Sequence, residues 1–472
     1  MNKFYLTTAI PYVNAAPHIG HALEFIQADT IARYRRLLGN DVLLLSGADE
    51  NALKNVQAAE EAGVDVQTLV DKNAKLFQDL AKKLNVSFDV FQKASDKIHH
   101  YPSSQKLWEA CDQAGDIYKK SYKGLYCVGC ETFYTPDELD ENSECFEHPG
   151  KKLEEVEEEN YFFRLSKYQE QLIQLIEKDD YQIIPNSKKN EALSFIKSGL
   201  QDISISRTNE RAKNWGVQVP NDSMQKVYVW MDALNIYQSG VGFGWDDNLY
   251  NKWWPVDLHL IGRGILRFHA VYWPAFLSSA GLDLPKKLLV HDYITINGQK
   301  MSKTLGNIVD PLEVIEKYGV DALRYYLLTK ISPFADGDYS DSKMLEAYNA
   351  DLANGLGNLI SRVAKLCELN NIQADQGSQV WCADLKKYME EFKFNEALSH
   401  IWGEITEVDK KINEKKPWEL SGEKAKQILE DLVKRIQAIA FNLQPFLPET
   451  AEKISKQFSG EIKSQAPLFP RI

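Results

Sequence analysis

Apolar strand-like segments alternate with amphipathic helical segments in the N-terminal part of the chain, and this alternation limits the possible folds more than any other feature. Residues 3–10, KFYLTTAI, have the pattern of a buried strand. Residues 21–39, HALEFIQADTIARYRRLLG, place apolar side chains three and four positions apart and stop at a glycine, as helices do. Residues 41–49, DVLLLSGAD, are a second strand with an acidic end. The alternation predicts an α/β fold with a parallel sheet, whose ligands bind at the carboxyl ends of the strands.

The character of the sequence changes farther along the chain, which predicts several domains because 472 residues are too many for one hydrophobic core. Clustered cysteines and the acidic run KKLEEVEEEN fall in residues 116–225, which we interpret as an insertion. Apolar strands and helices return at residues 226–290, so these and residues 1–115 are predicted to be two halves of one sheet domain. No strand pattern follows residue 345, and the amphipathic segments of residues 346–472 predict a helical bundle.

The overall charge and hydropathy leave the partner open but exclude a membrane span. A net charge of −12 does not exclude nucleic acid, because screening confines exposed charges to about 10 Å and a local basic strip can still bind it. No apolar run approaches the ~20 residues of a membrane span. The first residues, MNKFYLTTAIPY, lack a basic segment followed by a long apolar one. We therefore expect a soluble, cytoplasmic protein with no membrane partner.

Four residues of the insertion have the spacing of a zinc site. Two residues separate Cys127 from Cys130, and Cys145 and His148 follow with the same separation. Two such pairs are typical of tetrahedral zinc, and free thiols are the alternative. Four protein ligands leave no open coordination position, so the sequence predicts one structural Zn²⁺.

Two histidines follow the first strand closely, in TTAIPYVNAAPHIGHALEF, residues 7–25. Pro17 is expected in the first turn of the next helix, whose free N–H groups attract anions. His18 and His21 are one turn apart and are expected to face the same way, and Gly20 lets a ligand approach closely. The pattern favours a site for nucleotide phosphate, and two surface histidines at a helix start are the alternative.

The segment NGQKMSKTLGN, residues 297–307, is a second candidate site for phosphate. Lys300 and Lys303 are three positions apart, Ser302 lies between them, and glycines flank the group. Such a segment is expected to be a mobile cationic loop whose ammonium groups can bind phosphate as point charges. Taken alone, the segment would be better explained as a solvated basic loop.

PHIGH and KMSKT resemble the two signature motifs of the class I aminoacyl-tRNA synthetases, and longer stretches resemble the methionine-specific members of that family. These stretches are IPYVNAAPHIGHA, GLYCVGCETFYT, NYFFRLSKY, YVWMDALNIY, HAVYWPAFLSSAGL and GQKMSKTLGNIVDPLEVIEKYGVDALRYYLL. The resemblance implies a Rossmann-type sheet domain with a zinc-knuckle insertion. It also implies a loop and stem-contact region over residues 291–345 and an α-helical anticodon-binding domain over residues 346–472.

The resemblance further implies that the chain activates L-methionine with ATP and transfers it to the 3′ end of tRNA(Met), reading the CAU anticodon. A carboxylate is already ionised at pH 7, so activation needs positioning and charge stabilisation rather than a general base. Mg²⁺ is expected with the ATP. The chain ends at APLFPRI without the additional C-terminal domain of some relatives, so we expect a monomer. The implied catalytic and ATP-binding residues are His18, His21, Glu24, Lys300, Ser302 and Lys303.

The family's methionine-binding positions correspond to a largely aromatic set. Aromatic rings suit a thioether, which is soft and apolar, and a carboxylate suits the substrate ammonium. Ordinary core packing is the alternative for each aromatic residue. The implied residues are Ile10, Tyr12, Asp49, Trp230, Ala233, Tyr237, Ile265, His269 and Trp273.

Three residues of the helical region correspond to the family's anticodon-reading positions. Asn358 and Arg362 are four apart, on one face of a helix. Trp418 follows a proline, and its indole is suited to stacking on an unstacked base. A tryptophan packed inside the bundle is the alternative.

The sequence departs from the family's usual pattern at two places near the expected active site. Asn51 and Ala52 stand where the family usually has His-Gly, and Arg263 and Gly264 stand where it usually has Lys-Asp. The missing aspartate would have accepted a ribose hydroxyl, and its loss costs roughly 1.5–3 kcal/mol of ATP binding. The departures leave open a catalytically weak or silent homologue that only binds tRNA or methionine. A synthetase for another amino acid, such as cysteine, is a second alternative, and the aromatic set disfavours it.

Overall fold

The computed structural model describes residues 2–130, 132–134, 138–145, 150–301, 306–375, 377 and 380–472. Its strands are β1 (Lys3–Thr7), β2 (Asp41–Ala48), β3 (Val90–Lys93), β4 (Ile117–Cys127), β5 (Thr132–Tyr134), β6 (Glu154–Phe163), β7 (Gln182–Ile184), β8 (Ile203–Ser204), β9 (Ser206–Thr208), β10 (Gln218–Val219), β11 (Asp222–Val227), β12 (Leu258–Gly262), β13 (Lys287–His291), β14 (Ile294–Ile296), β15 (Gln299–Lys300), β16 (Gly337–Tyr339), β17 (Gln373–Ala374) and β18 (Gly460–Glu461).

The α-helices are α1 (Ile19–Leu37), α2 (Leu53–Ala62), α3 (Val66–Lys83), α4 (His100–Gln113), α5 (Gln169–Glu177), α6 (Asn186–Lys197), α7 (Val229–Ser239), α8 (Asp247–Trp253), α9 (Trp273–Ser279), α10 (Pro311–Tyr318), α11 (Val320–Thr329), α12 (Asp341–Ala347), α13 (Asn358–Leu369), α14 (Ala383–Glu390), α15 (Phe394–Lys415), α16 (Glu423–Leu443) and α17 (Pro448–Gln457). Within the described ranges, no helix has both the length and the apolar character needed to cross a membrane.

The chain forms two compact units. The first comprises Met1–Pro17, Asn40–Asp79 and Ser87–His291, and the second comprises His18–Gly39, Leu80–Val86 and Asp292–Ile472. The domain boundaries predicted from the sequence stay predictions.

A six-stranded sheet is the centre of the first unit. Its strand order is β3-β2-β1-β12-β13-β7, and every pairing in it is parallel. Strands β2 and β12 consist mainly of buried apolar residues, as expected of a parallel sheet that is covered on both faces. The α/β fold with a parallel sheet is thereby confirmed. The chain leaves this sheet after β3, contributes the edge strand β7 from within residues 116–225, and returns at β12 and β13, the second of which pairs with β7.

Residues 116–225 contribute an antiparallel sheet of their own, with strand order β5-β4-β6-β8. Most of the acidic run lies on β6, where it pairs with the lysine-rich strand β4. Lys119 lies 3.5 Å from Glu159 and Lys123 lies 3.7 Å from Glu155. Cross-strand pairs of opposite charge fix the register of this long hairpin.

The second unit contains α1 and the helices from α10 onward. The predicted helical C-terminal region is confirmed, but the expectation that no strand follows residue 345 is wrong. β17 pairs with β18, joining Gln373 to Glu461 and Ala374 to Gly460. Two-residue strands are too short to produce an alternating pattern in the sequence, so this pair left no signal.

A buried arginine holds α1 inside the second unit. Arg324 of α11 is fully buried and forms a 2.8 Å ion pair with Asp29 of α1. Its remaining N–H groups donate to the carbonyls of Leu84, Pro445 and Phe446 at 2.7–3.2 Å. A buried charge needs both a counter-ion and satisfied hydrogen bonds, and Arg324 has both. The helix that carries the two histidines is thus fixed at its middle turn.

Candidate active site

The two histidines of PHIGH form the start of α1. His18 is the N-cap residue, with an extended backbone (φ −134°, ψ 177°). The Gly20 N–H donates to Nδ1 of His18 at 3.1 Å, and the His18 N–H donates to Nδ1 of His21 at 3.1 Å. This is a capping box made of histidines in place of the usual serine and glutamate. The expectation that Pro17 lies in the first helical turn is wrong, because the cap at His18 puts Pro17 outside the helix.

The cap also fixes the tautomer of both imidazole rings. A backbone N–H can only donate, so each Nδ1 is an acceptor and each ring proton is on Nε2. The two ring centroids are 4.0 Å apart. Burial, followed by the proximity of His18, lowers the pKa of His21 well below its usual value. His21 is therefore neutral at pH 7, and its Nε2–H group is available as a hydrogen-bond donor.

The backbone N–H groups at the start of α1 already have partners. Ile19 donates to the Val309 carbonyl at 3.1 Å, and His21 and Ala22 donate to the His18 carbonyl at 2.9 and 3.2 Å. The prediction that free N–H groups here attract an anion is therefore wrong. An anion at this helix end would be bound through the imidazole Nε2–H groups instead.

Gly20 has a steric role that the sequence did not reveal. A Cβ atom at this position would lie 2.9 Å from Cε1 of His18 and 3.7 Å from Cε of Met301. The space next to Gly20 is thus occupied by the folded-back His18 ring. The same geometry places Gly20 of the PHIGH segment close to Met301 of the KMSKT segment.

The structure describes part of the predicted lysine loop. Asn297 and Gly298 have positive φ values of 52° and 76°, which makes them the two-residue turn of the β14–β15 hairpin. Lys300 ends β15 and is exposed, and its carbonyl accepts from Asn307 at 3.2 Å. Ser302 and Lys303 lie outside the described residues. Glu24, the remaining predicted member, is buried on α1.

Four of the nine residues predicted to bind methionine follow the carboxyl ends of three neighbouring strands of the first unit. Ile10 and Tyr12 come after β1, Asp49 after β2 and Ile265 after β12. Tyr12 pairs with Asp49 in a parallel bridge, and the Asp49 N–H donates to the Pro11 carbonyl at 2.9 Å. Asp49 is only 2% exposed. This is the edge at which parallel sheets bind their ligands.

Trp230 and Phe268 form one wall of this region. Their rings stack with centroids 3.6 Å apart and planes 5° apart, and Tyr12 meets Trp230 edge-on at 6.1 Å. The Trp230 indole N–H donates to the Cys130 carbonyl at 3.1 Å, so the cysteine-bearing segment orients this ring. Ala233 lies one turn later on α7. Phe268 was not predicted, because no pattern separates it from other core aromatics.

His269 lies in a π-helix, Phe268–Tyr272, a form that is frequent at functional sites. Its Nδ1 donates to the Ile265 carbonyl at 3.0 Å, so its Nε2 accepts from the Tyr237 hydroxyl at 2.9 Å. Burial lowers the pKa of His269 to about 4. Trp273 is fully buried nearby, 6.3 Å from the Tyr237 ring, and its Nε1 has no hydrogen-bond partner in the described part of the chain.

A second buried histidine of this region was missed by the sequence analysis. His259 of β12 has its ring 4.4 Å from Tyr237 and 6.0 Å from His269. Its Nδ1 lies 2.6 Å from the Thr7 hydroxyl, and burial lowers its pKa well below the usual value. The only sequence signal for His259 was its position inside the apolar run LHLIG. A histidine there is indistinguishable from an ordinary strand residue.

Three of the four predicted zinc ligands lie together in the first unit. Sγ of Cys145 is 3.2 Å from Sγ of Cys127 and 3.8 Å from Sγ of Cys130. A tetrahedral zinc with Zn–S bonds of about 2.3 Å places its sulfurs about 3.8 Å apart. The donor set therefore fits a metal ion. His148, the fourth predicted ligand, lies outside the described residues.

The family described as tRNA synthetases class I (M) matches residues 4–364. A Methionine--tRNA ligase of Thermotoga maritima is 41% identical over 98% of this chain and 76% of that protein. The chain belongs to the class I methionyl-tRNA synthetase family. A second ligase of this name, from Brucella suis biovar 1, is 40% identical over 99% of this chain and 98% of that protein.

Solved structures of the methionyl-tRNA synthetase family agree with this membership. The Mycobacterium tuberculosis methionyl-tRNA synthetase in complex with methionyl-adenylate is 38% identical, with a TM-score of 0.91 over 100% of both chains. The apo form of that enzyme gives a TM-score of 0.84 at 34% identity, over 100% of this chain and 98% of that one. The predicted family, fold class and enzyme class are confirmed.

Asn51, a departure from the usual methionyl-tRNA synthetase pattern, is part of a buried polar cluster. Its side-chain amide donates to Asp232 at 2.7 Å and to the Ala94 carbonyl at 2.9 Å. Asp232 also accepts from Ser104 at 2.7 Å and lies 2.9 Å from Nε2 of His100. Because Asp232 belongs to α7, this cluster fixes the helix that carries Trp230, Ala233 and Tyr237.

The second departure lies in a short 3₁₀ helix, Arg263–Ile265, directly after β12. Gly264 has no side chain with which to replace the family's usual carboxylate. Glu50, which follows Asp49, does not replace it either, since it is fully buried, accepts from the Ser95 N–H at 2.9 Å and lies 3.2 Å from Lys93.

Two of the three predicted anticodon residues are in contact in the second unit. The Arg362 guanidinium lies 5.0 Å from the centroid of the Trp418 ring. It donates to Asp409 at 3.3 Å and to Asn413 at 2.7 Å, both on α15. Trp418 is 48% exposed and Asn358 is exposed. The alternative of a Trp418 packed inside the bundle does not fit this exposure.

Proposed function

We propose that the chain activates L-methionine with ATP and transfers the methionyl group to tRNA(Met). The names of its relatives and the methionyl-adenylate bound by the Mycobacterium tuberculosis enzyme support this proposal. The single observation that carries it is the histidine cap of α1, which puts a proton on Nε2 of both rings and lies close to Met301.

In the first step, a carboxylate oxygen of methionine attacks the α-phosphorus of ATP, and the bond to the bridging oxygen breaks to release pyrophosphate. Negative charge grows on the phosphate oxygens during this step. His18 and His21 donate their Nε2–H groups to those oxygens, and Lys300 and Lys303 neutralise charge. Fixed donors aimed at developing charge are often the largest contribution to such a rate enhancement. Mg²⁺ enters with the ATP as part of the substrate.

The residues around Tyr12 and Trp230 bind methionine in this proposal. Asp49 pairs with the substrate ammonium, and the rings of Tyr12, Trp230 and Trp273 contact the thioether. His269 is neutral at pH 7 and bonded to Tyr237, so the site has no added positive charge from this ring. An uncharged pocket suits the soft, apolar methionine side chain.

In the second step, a hydroxyl of the 3′-terminal ribose attacks the methionyl carbonyl, and AMP leaves. We propose that Trp418 stacks on an anticodon base, while Asn358 and Arg362 bond the edges of the CAU bases. Arg362 is already positioned by Asp409 and Asn413, so little entropy is lost when it meets a base. Stacking of this kind contributes ~1–3 kcal/mol per base.

We propose that one Zn²⁺ is bound by Cys127, Cys130, Cys145 and His148. When bound, the ion is a structural centre, because four protein ligands leave no position for a substrate. The Cys130 carbonyl accepts from the Trp230 indole, so the folded knuckle helps to orient a ring of the methionine pocket.

Methionine-dependent exchange of labelled pyrophosphate into ATP tests the proposal on the full-length chain. We expect exchange with methionine and none with cysteine. A folded chain that binds methionine or tRNA without exchange would establish the silent homologue, for which Asn51 and Gly264 are the motivating departures. Exchange with cysteine instead would establish the other synthetase.

A further inference from the structure

Three potential metal ligands lie together in the second unit, in sequence positions that none of the predicted sites uses. Cys382 is the residue that precedes α14, Asp384 lies in the first turn of α14, and His400 lies on α15. Sγ of Cys382 is 3.2 Å from Nε2 of His400. One donor atom from each of the three residues falls within 4.8 Å of the other two.

These separations suit a tetrahedral transition-metal site. With a Zn–S bond of about 2.3 Å and a Zn–N bond of about 2.0–2.1 Å, sulfur and nitrogen ligands lie about 3.6 Å apart. A thiolate, an imidazole and a carboxylate together select a borderline cation such as Zn²⁺ over Mg²⁺ or Ca²⁺, which take oxygen ligands. Zinc sites with three protein ligands keep a fourth position open.

Two of these residues, Cys382 and His400, line a cavity of about 250 Å³ that contains unsatisfied polar atoms. Its lining includes Trp381, Glu404 and Asn442. Nε1 of Trp381 and Oδ1 of Asn442 are buried and have no hydrogen-bond partner within the described ranges of the chain. Buried polar atoms without partners point to a water or an ion that completes the site. Water bound to a metal ion supplies both a donor and an acceptor for such atoms.

We propose that Cys382, Asp384 and His400 bind a divalent transition-metal cation, with Zn²⁺ the best match, at a site separate from the Cys127 cluster. Glu404, one turn after His400 on the same helix, or a water molecule completes the coordination. The ion joins the start of α14 to α15. α15 also carries Asp409 and Asn413, which accept hydrogen bonds from Arg362 of α13. The ion therefore stabilises the helix that positions the Arg362 guanidinium.

A plain thiol–imidazole hydrogen bond between Cys382 and His400 is the competing explanation of the 3.2 Å contact. The two explanations differ in metal stoichiometry. With a metal site, the full-length protein saturated with Zn²⁺ and freed of excess ion retains one more metal ion per chain than Cys382→Ser or His400→Gln. With a hydrogen bond alone, all three proteins retain the same number.

Cys367→Ser is the matched control, because Cys367 is a buried thiol of the same unit outside the cluster. We expect it to retain the wild-type metal content. Cobalt substitution adds a spectroscopic test, since a thiolate ligand gives a charge-transfer band that Cys382→Ser should weaken and Cys367→Ser should not. Cobalt spectra of equal intensity in wild type and Cys382→Ser would overturn the proposal.

Alkylation of Cys382, followed by peptide mapping, gives a readout that does not depend on any variant folding. Added Zn²⁺ should slow alkylation of this thiol, and a chelator should restore the rate. A rate that is the same with Zn²⁺ and with chelator would also overturn the proposal.

Discussion

The His18 backbone N–H donates to Nδ1 of His21 at 3.1 Å, so the two histidines of PHIGH order one another. The Gly20 N–H does the same for the His18 ring. The sequence left two alternatives for these histidines, a helix start and a phosphate site, and the arrangement is compatible with both. The histidines cap the helix through Nδ1, and this leaves both ring protons on Nε2, where they can be donated to a phosphate.

His18→Asn should separate the cap from the chemistry. Asparagine is a good N-cap residue, so we expect the free energy of unfolding to change by less than about 1 kcal/mol. Pyrophosphate exchange should fall ~10²–10³-fold, the usual cost of losing one donor to developing charge. His18→Ala should lose about as much activity and, in addition, about 0.5–2 kcal/mol of stability. Near-normal exchange by a folded His18→Asn protein would remove His18 from the catalytic residues.

Gly20→Ala should displace the His18 ring, because the new Cβ would lie 2.9 Å from Cε1 of that ring. We expect a large loss of pyrophosphate exchange with little loss of stability, since alanine favours a helix over glycine by about 1 kcal/mol. Gly403→Ala is the matched control, because a Cβ at that position of α15 meets nothing within 4 Å. The control should be slightly more stable and fully active, and an equally active Gly20→Ala protein would contradict the steric role of Gly20.

The neutral state of His269 predicts a loss of stability in acid. Its folded pKa of about 4 is below the unfolded value of about 6.5, so the unfolded state binds more protons between those values and stability rises with pH there. The contribution is fully present above pH ~6.5 and is lost as the pH falls towards about 4, a change of about 3 kcal/mol. Denaturant unfolding of wild type and His269→Gln across this range measures it.

In His269→Gln the slope of stability against pH should be shallower, because one of the titrating groups is gone. His21 and His259, whose pKa values burial also lowers, remain in both proteins and supply the residual slope. Identical slopes in the two proteins would mean that His269 is not held neutral.

Cys130→Ala should lose the zinc ion of the knuckle. The Cys130 carbonyl accepts from the Trp230 indole, so we expect the KM for methionine to rise more than the KM for ATP. Metal analysis and pyrophosphate exchange measured on the same preparation check both expectations. Full zinc content at this site in Cys130→Ala would refute the proposed ligand set.

Trp418→Ala should weaken tRNA charging by ~1–3 kcal/mol in kcat/KM for tRNA(Met), as expected for a lost stacking platform. Pyrophosphate exchange, which needs no tRNA, should be unchanged. Trp418→Phe keeps an aromatic face and should retain most of the activity. If tRNA with an altered anticodon were charged by the wild type at the normal rate, the anticodon role of Trp418, Asn358 and Arg362 would be excluded.

Long periodic segments of the fold could be predicted from the sequence, whereas short or irregular ones could not. α1 was visible because its apolar residues recur three and four positions apart, and β2 because it is a continuous apolar run. β7 has three residues and the β17–β18 pair has two per strand, so neither could show a pattern. The Asn297-Gly298 turn did carry a hairpin signal that was not used.

Candidate site residues could be predicted where the residue type itself suggests the chemistry. They could not be predicted where the role of a residue depends on its partners in the folded chain. The histidine pair and the paired cysteines are candidate sites from their spacing alone, whereas the lysine segment was assigned through its resemblance to a synthetase signature. That His18 would cap α1 could not be predicted, because histidine is not among the preferred N-cap residues. The role of Asn51 in holding Asp232 depends on a partner 181 residues away, and no local pattern encodes such a distance.

Arg324 makes the last third of the chain indispensable to the helix that bears the histidines. Two of the carbonyls that solvate its guanidinium come from Pro445 and Phe446. In a fragment that ends before these residues, the buried Arg324 guanidinium would keep Asp29 and the Leu84 carbonyl but lose the other two of its four acceptors. The C-terminal helices are therefore not a detachable module, and shortening the gene from its far end should damage amino-acid activation as well as recognition of tRNA.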